Sequence, residues 1–64
     1  MEYKNELNAL AKEVSEVKGW YTITVKETET GYSIFKTFDG CTDEIYYNLT
    51  DEQCYYLLIG MSEI

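Results

Sequence analysis

The sequence predicts a small α+β domain of 64 residues in which a helix, three antiparallel strands and a second helix follow one another. Three observations predict it. Apolar residues recur at a helical seam spacing before Gly19, the period changes to two from Trp20 onward, and an Asp-Gly pair separates two alternating runs. A chain of this length forms one domain, 1–64, and buries only ~60% of the surface its unfolded form exposes, so its stability alone is small.

The first helix is expected over 2–18. Tyr3, Leu7, Leu10, Val14 and Val17 follow one another at steps of four, three, four and three, and Gly19 is placed to end the helix in the left-handed conformation. Only this narrow stripe is offered for burial. A strand over 20–27 follows, with Tyr21, Ile23 and Val25 on one face and Thr22, Thr24 and Lys26 on the other. The alternation resumes over 32–38. Asp39-Gly40 then signals a two-residue type I′ turn into a third strand, 41–47, because both central residues of that turn need positive φ. Taken literally, the turn sets Phe38 opposite Cys41, Lys36 opposite Asp43, Ile34 opposite Ile45 and Tyr32 opposite Tyr47, and a slip of one residue would oppose apolar to polar throughout.

The last helix is expected over 51–59, between a start signal and Gly60. Thr50 is the N-cap, Gln53 closes a capping box, Asp51 and Glu52 occupy the first turn, and Leu49 and Cys54 are spaced as a hydrophobic staple. Its residues Tyr55 to Ile59 are apolar around nearly the whole circumference. A three-stranded sheet covers only one side of such a helix, so a homodimer is expected as the simplest cover.

Charge is the feature that bears most on function. Residues 1–36 carry six acids and five lysines, whereas 37–64 carry six acids and no basic residue, so nearly all of the net charge of −7 lies in the second half. There Asp39, Asp43, Glu44, Asp51 and Glu52 alternate with Phe38, Tyr46, Tyr47, Tyr55 and Tyr56. This charge has the wrong sign for direct nucleic-acid binding, which neutralises phosphates with Lys and Arg. It suits a partner protein with a basic surface, because complementary potentials speed encounter and select the partner. Tyr46, Trp20 and Phe35 are assigned to the sheet face opposite Ile34 and Ile45, and with Tyr55 they are the aromatic candidates for an interface.

Chemistry beyond binding is poorly supplied. The chain has no His and no Arg, no glycine-rich phosphate loop and no three-ligand metal spacing, so no enzyme, metal or cofactor role is assigned. The Asp39–Glu44 acids beside Gly40 do not follow the alternating ligand pattern of a calcium loop. Cys41 and Cys54 are expected to be reduced, small and buried, in a cytoplasmic protein without a secretory leader or a membrane association. Abundant Lys, Asn, Tyr, Ile and Glu without Arg, Pro or His is what AT-rich coding produces, as in a low-G+C bacterium or its phage.

A short, acidic, Tyr-rich chain with a hairpin, a further strand and a capped helix resembles the small phage-encoded inhibitors of host defence and repair enzymes. These include the inhibitors of uracil-DNA glycosylase and some anti-CRISPR proteins. The nearest local echo is Tyr46-Tyr47-Asn48-Leu49-Thr50 leading into the acidic helix start; the long N-terminal helix is a departure. The resemblance implies a dimer that presents acidic edges as a DNA substitute to a protein of a bacterial host, and no binding residue carries over from it. Two functions of different classes therefore stand: an inhibitor of a nucleic-acid-binding host protein, and a homo-oligomeric structural, adaptor or small-ligand-trapping module without catalytic activity.

Overall fold

A computed structural model describes residues 3–63 and contains α1 (Lys4–Lys18), β1 (Thr22–Thr28), β2 (Gly31–Phe38), β3 (Cys41–Leu49) and α2 (Asp51–Glu63). The order and types are those expected, an α+β domain with the antiparallel sheet order β1-β2-β3. Both helices contribute to one core with the sheet: Leu7, Ala11 and Val14 of α1, Ile23 of β1, Ile34 of β2, and Cys54 and Leu58 of α2.

α1 ends at Gly19, whose φ is 76° and whose N–H donates to the Ser15 carbonyl. Glu2, the first residue of the expected helix, lies outside the described residues, and α1 itself begins at Lys4. The buried stripe differs from the expected seam. Ala11 is buried where Leu10 is only partly so, and Val17 is 56% exposed. Ala11 joins Leu7, Leu10 and Val14 and widens the buried face, because α1 packs on α2 and on β1 at once. Ser15 adds a polar link to the sheet. It accepts the Ile23 N–H at 2.8 Å and donates to the Ala11 carbonyl at 2.9 Å, so a helix side chain satisfies an outward backbone donor of the edge strand β1.

β1 begins at Thr22 rather than at residue 20, which leaves Trp20 and Tyr21 ahead of the sheet, and it continues through Thr28. β2 begins at Gly31, one residue earlier than expected. The turn into β3 is as expected: Asp39 and Gly40 have φ of 52° and 79°, and Phe38↔Cys41 and Lys36↔Asp43 are paired. Beyond Phe35↔Glu44 the register departs from the expected one. Ile34 faces Tyr46 instead of Ile45, and Tyr32 faces Leu49 instead of Tyr47. Each step adds one residue to β3, a bulge, and Asn48 is in the left-handed region at φ 54°. The Thr30 hydroxyl donates to Asn48 Oδ1 at 2.7 Å, holding the β1–β2 turn against this second irregularity. β3 thereby extends to Leu49, two residues past the expected end.

The start of α2 is the expected capping box. Thr50 Oγ1 accepts the Gln53 N–H at 3.1 Å, and Gln53 Oε1 accepts the Thr50 N–H at 3.0 Å. The helix does not stop at Gly60 but runs on to Glu63. Glycine in a helix interior costs ~0.5–1 kcal/mol relative to alanine. Burial of Leu58 and packing of Met61 against the core outweigh that cost. The apolar circumference of α2 is also better covered than a sheet alone allows, since α1 packs along it, and Tyr56 is its one large exposed apolar side chain among the described residues. Uncovered apolar side chains also lie on β3, where Ile45, Tyr46 and Tyr47 are exposed, and at the hairpin end, where Trp20 and Phe38 are.

Candidate functional site

The hairpin of β2 and β3 gathers one half of the expected site residues, and the start of α2 holds the other half. β3 is exposed from Cys41 through Asn48, so Asp43, Glu44, Tyr46 and Tyr47 all face solvent. Asp39 is exposed at the turn, and Glu52 is exposed and Asp51 half-buried where β3 runs into α2. A strand rises about 3.3 Å per residue, so Asp43 and Asp51 mark opposite ends of a row about 20–25 Å long. The molecule itself measures 32 × 22 × 16 Å. The acids are thus spread along the strand rather than clustered, and among the described residues no three Cys, Asp or Glu side chains converge to hold a metal ion.

The row does not share one face. Asp43 pairs with Lys36, on the side of the sheet that carries Ile34, while Glu44 pairs with Phe35 on the other side. Phe35 occupies the face opposite Ile34, as expected, and is half-buried between its neighbours Thr24 and Glu44. Tyr46 does not. The bulge makes it the cross-strand partner of Ile34 and so puts it on Ile34's own face, which reverses the side expected from strict alternation. Tyr46 remains 40% exposed because the helices cover the β1–β2 half of the sheet more fully than the β3 edge.

Trp20 precedes β1 and packs against Lys36 and Phe38, which share the side of Ile34, so it lies on the reverse of the side expected. It packs edge-on against Tyr21 and Phe38 with ring centroids 4.5 and 5.4 Å away, at interplanar angles of 86° and 79°. Lys36 Nζ stands 4.7 Å from the Trp20 ring centroid and 4.8 Å from that of Tyr21. Tyr21 and Lys36, not among the expected site residues, thus join Trp20 in one group. A lysine in an alternating strand gives no sign that it will turn toward a tryptophan sixteen positions earlier. Tyr55, by contrast, is half-buried in a second aromatic group with Tyr3 and Tyr56, at centroid distances of 4.5 and 5.3 Å. Its ring serves the α1–α2 contact more than an open interface, and the exposed member there is Tyr56.

At the far end of β1, Tyr32 donates to Glu27 Oε2 at 3.5 Å, and Glu27 also pairs with Lys4 at 3.4 Å. Burial, and after it the Glu27 charge, holds the Tyr32 hydroxyl above the usual tyrosine range. An open groove of about 440 Å³ runs between α1 and β1, floored by Ala11, Ile23 and Val25 and rimmed by Lys12 and Glu16.

Both thiols are free, but they differ. Cys41 is exposed, contrary to the expectation of burial, because it opens an uncovered edge strand, whereas Cys54 is buried in the core. Burial pushes the Cys54 thiol up to about 11 from 9.0. Folding therefore opposes its ionisation, so this group lowers stability as pH climbs from 9 toward 11 and has no effect at neutral pH. With an aromatic disulfide reagent at pH 8, Cys41 is expected to react at once and Cys54 only at the rate of unfolding. Prompt reaction of both would contradict the burial of Cys54.

Comparison with protein-family models, with curated proteins and with solved structures finds no match to this chain. Among the described residues no helix is long and apolar enough to cross a membrane. The functional reading consequently rests on the surface just described.

Proposed function

We propose that the protein is a small acidic inhibitor that occupies a basic, nucleic-acid-binding surface of a host protein, in the manner of a DNA mimic encoded by a phage or mobile element and acting in the bacterial cytoplasm. The observation that carries this reading is the exposed β3 edge. It holds Asp43 and Glu44 beside Tyr46 and Tyr47, with Asp39 before it, Asp51 and Glu52 after it, and no basic residue from Thr37 to the C-terminus. Acids at intervals along a rigid strand substitute for a row of phosphates, and the exposed rings supply the stiff apolar contacts on which protein interfaces depend. The two bulges support the same reading. They and the acids protect a nine-residue edge from pairing with another sheet edge, leaving its side chains as the means of contact.

The test uses the protein as bait in a bacterial lysate, beside the triple variant Asp43→Asn, Glu44→Gln, Glu52→Gln. The parent is expected to retain a basic protein that salt releases and that double-stranded DNA displaces. The variant should associate with it about tenfold or more slowly at low salt, while its unfolding free energy stays within ~0.5 kcal/mol of the parent's, because exposed charges act on encounter more than on folding. Asp51 is left in place because its Oδ1 accepts the Glu52 N–H at the helix start. Equal association of parent and variant at low and physiological salt would reduce the acids to a solubility feature. The homo-oligomeric reading, with β3 covered by a second copy, would then take its place.

A further inference from the structure

We infer that Trp20 and Tyr21 form a cation-binding corner that takes an arginine side chain of the partner in place of Lys36. The inference rests on the reading of a basic partner and names how that partner is gripped. The corner is built and already accommodates a cation: Trp20 and Tyr21 meet nearly at right angles, and the Lys36 ammonium lies within 4.8 Å of both ring centroids. Phe38 stands edge-on beside Trp20 and widens the apolar wall. Trp20 remains 57% and Phe38 50% exposed, which is more than rings that serve only to fill a core would show.

Lys36 is a weak occupant. An exposed cation–π contact contributes ~0.5–1 kcal/mol, and holding a lysine side chain still opposes it by up to ~2 kcal/mol of rotamer entropy. Lys36 also has an alternative. Its cross-strand partner is Asp43, yet among the described residues Lys36 makes no ion pair, so on leaving the rings it meets a waiting carboxylate. Guanidinium is the better guest, being planar, less strongly hydrated than ammonium and able to stack on an aromatic face. The field at this end of the molecule draws such a group in, since Asp39, Asp43 and Glu44 are exposed around the hairpin and the chain carries a charge of −7. The corner and the acidic row thus divide the work: the row attracts a basic surface, and the corner selects arginine over lysine on it.

Hexa-arginine and hexa-lysine serve as probes, titrated calorimetrically into the protein. Hexa-arginine is expected to bind several-fold more tightly and to shift the emission of Trp20, the one tryptophan of the chain. Lys36→Met removes the internal competitor and should tighten hexa-arginine binding about two- to fivefold, the factor that corresponds to ~0.5–1 kcal/mol. Lys26→Met, an exposed position on β1 away from the rings, makes the same charge change without touching the corner. The difference between the two variants should vanish when Trp20→Leu is added to each. Equal tightening by Lys36→Met and Lys26→Met, or persistence of their difference without Trp20, overturns the inference. Failure of the lysate capture with this difference intact would instead remove the host-inhibitor reading and leave the arginine site standing.

Discussion

Replacing Gly31 with valine is expected to leave most of the protein unfolded at 25 °C. Gly31 opens β2 at φ 138°, a region that L residues with a side chain rarely adopt, and a Cβ there would press into the backbone carbonyl oxygen of Leu49. Neither obstacle yields cheaply. A residue forced into such backbone space costs ~1–3 kcal/mol, and the clash is with backbone rather than with the tip of a flexible side chain. A core of this size supplies only ~3–5 kcal/mol of net stability. Far-ultraviolet circular dichroism during urea titration checks the outcome. Gly60→Ala is the control, because Gly60 lies within α2 with nothing within 4 Å of the added methyl, and it should raise stability by ~0.5–1 kcal/mol. A Gly31→Val protein that unfolds at the parent's urea midpoint would mean that β2 and β3 do not approach as described.

Leu58→Ala is the second large effect. Leu58 is fully buried where α2 meets the core shared with Leu7, Val14 and Ile34, so truncation removes transfer free energy and leaves a cavity, together ~2–5 kcal/mol. The same urea titration should move its midpoint to near zero or abolish the transition. Tyr56→Ala, on the exposed side of the same helix, should cost well under half as much if the protein is monomeric under the assay conditions. A Leu58→Ala variant as stable as the parent would contradict the placement of α2. These two positions matter differently. Leu58 is one apolar residue among several in the sequence of α2, and only its packing singles it out, while Gly31 looks like an ordinary turn glycine.

Local signals carried much of the fold. Asp39-Gly40 stated the hairpin and its first pairs because a two-residue turn leaves the adjoining residues no other register. Thr50 and Gln53 stated the start of α2 because their hydrogen bonds close within four residues of chain. The acidic half of the chain was equally plain, since charge is a property of composition. The failures cluster where the deciding contact is remote in sequence. Strict alternation along β3 placed Tyr46 on the wrong side because an extra residue at Ile45 breaks the register between Glu44 and Tyr46, and missed the second irregularity because it depends on Asn48 in the left-handed region and on Thr30, eighteen residues earlier, reaching its side chain. Gly60 did not end α2 because the residues around it pack against α1 and the sheet.

The sequence by itself determined the element order, the reading frame of the Asp39-Gly40 hairpin, the capped entry to α2 and the concentration of negative charge after Thr37. Each depends on residues within a few positions of one another, where backbone geometry and short hydrogen bonds leave one solution. Only the tertiary structure decided which faces Asp43, Glu44 and Tyr46 present, that Cys41 is open while Cys54 is closed, and that Lys36 sits against Trp20 and Tyr21. Those outcomes follow from the way α1 and α2 cover the β1–β2 half of the sheet and leave β3 bare, a competition for buried area among all five elements that no local stretch of chain contains.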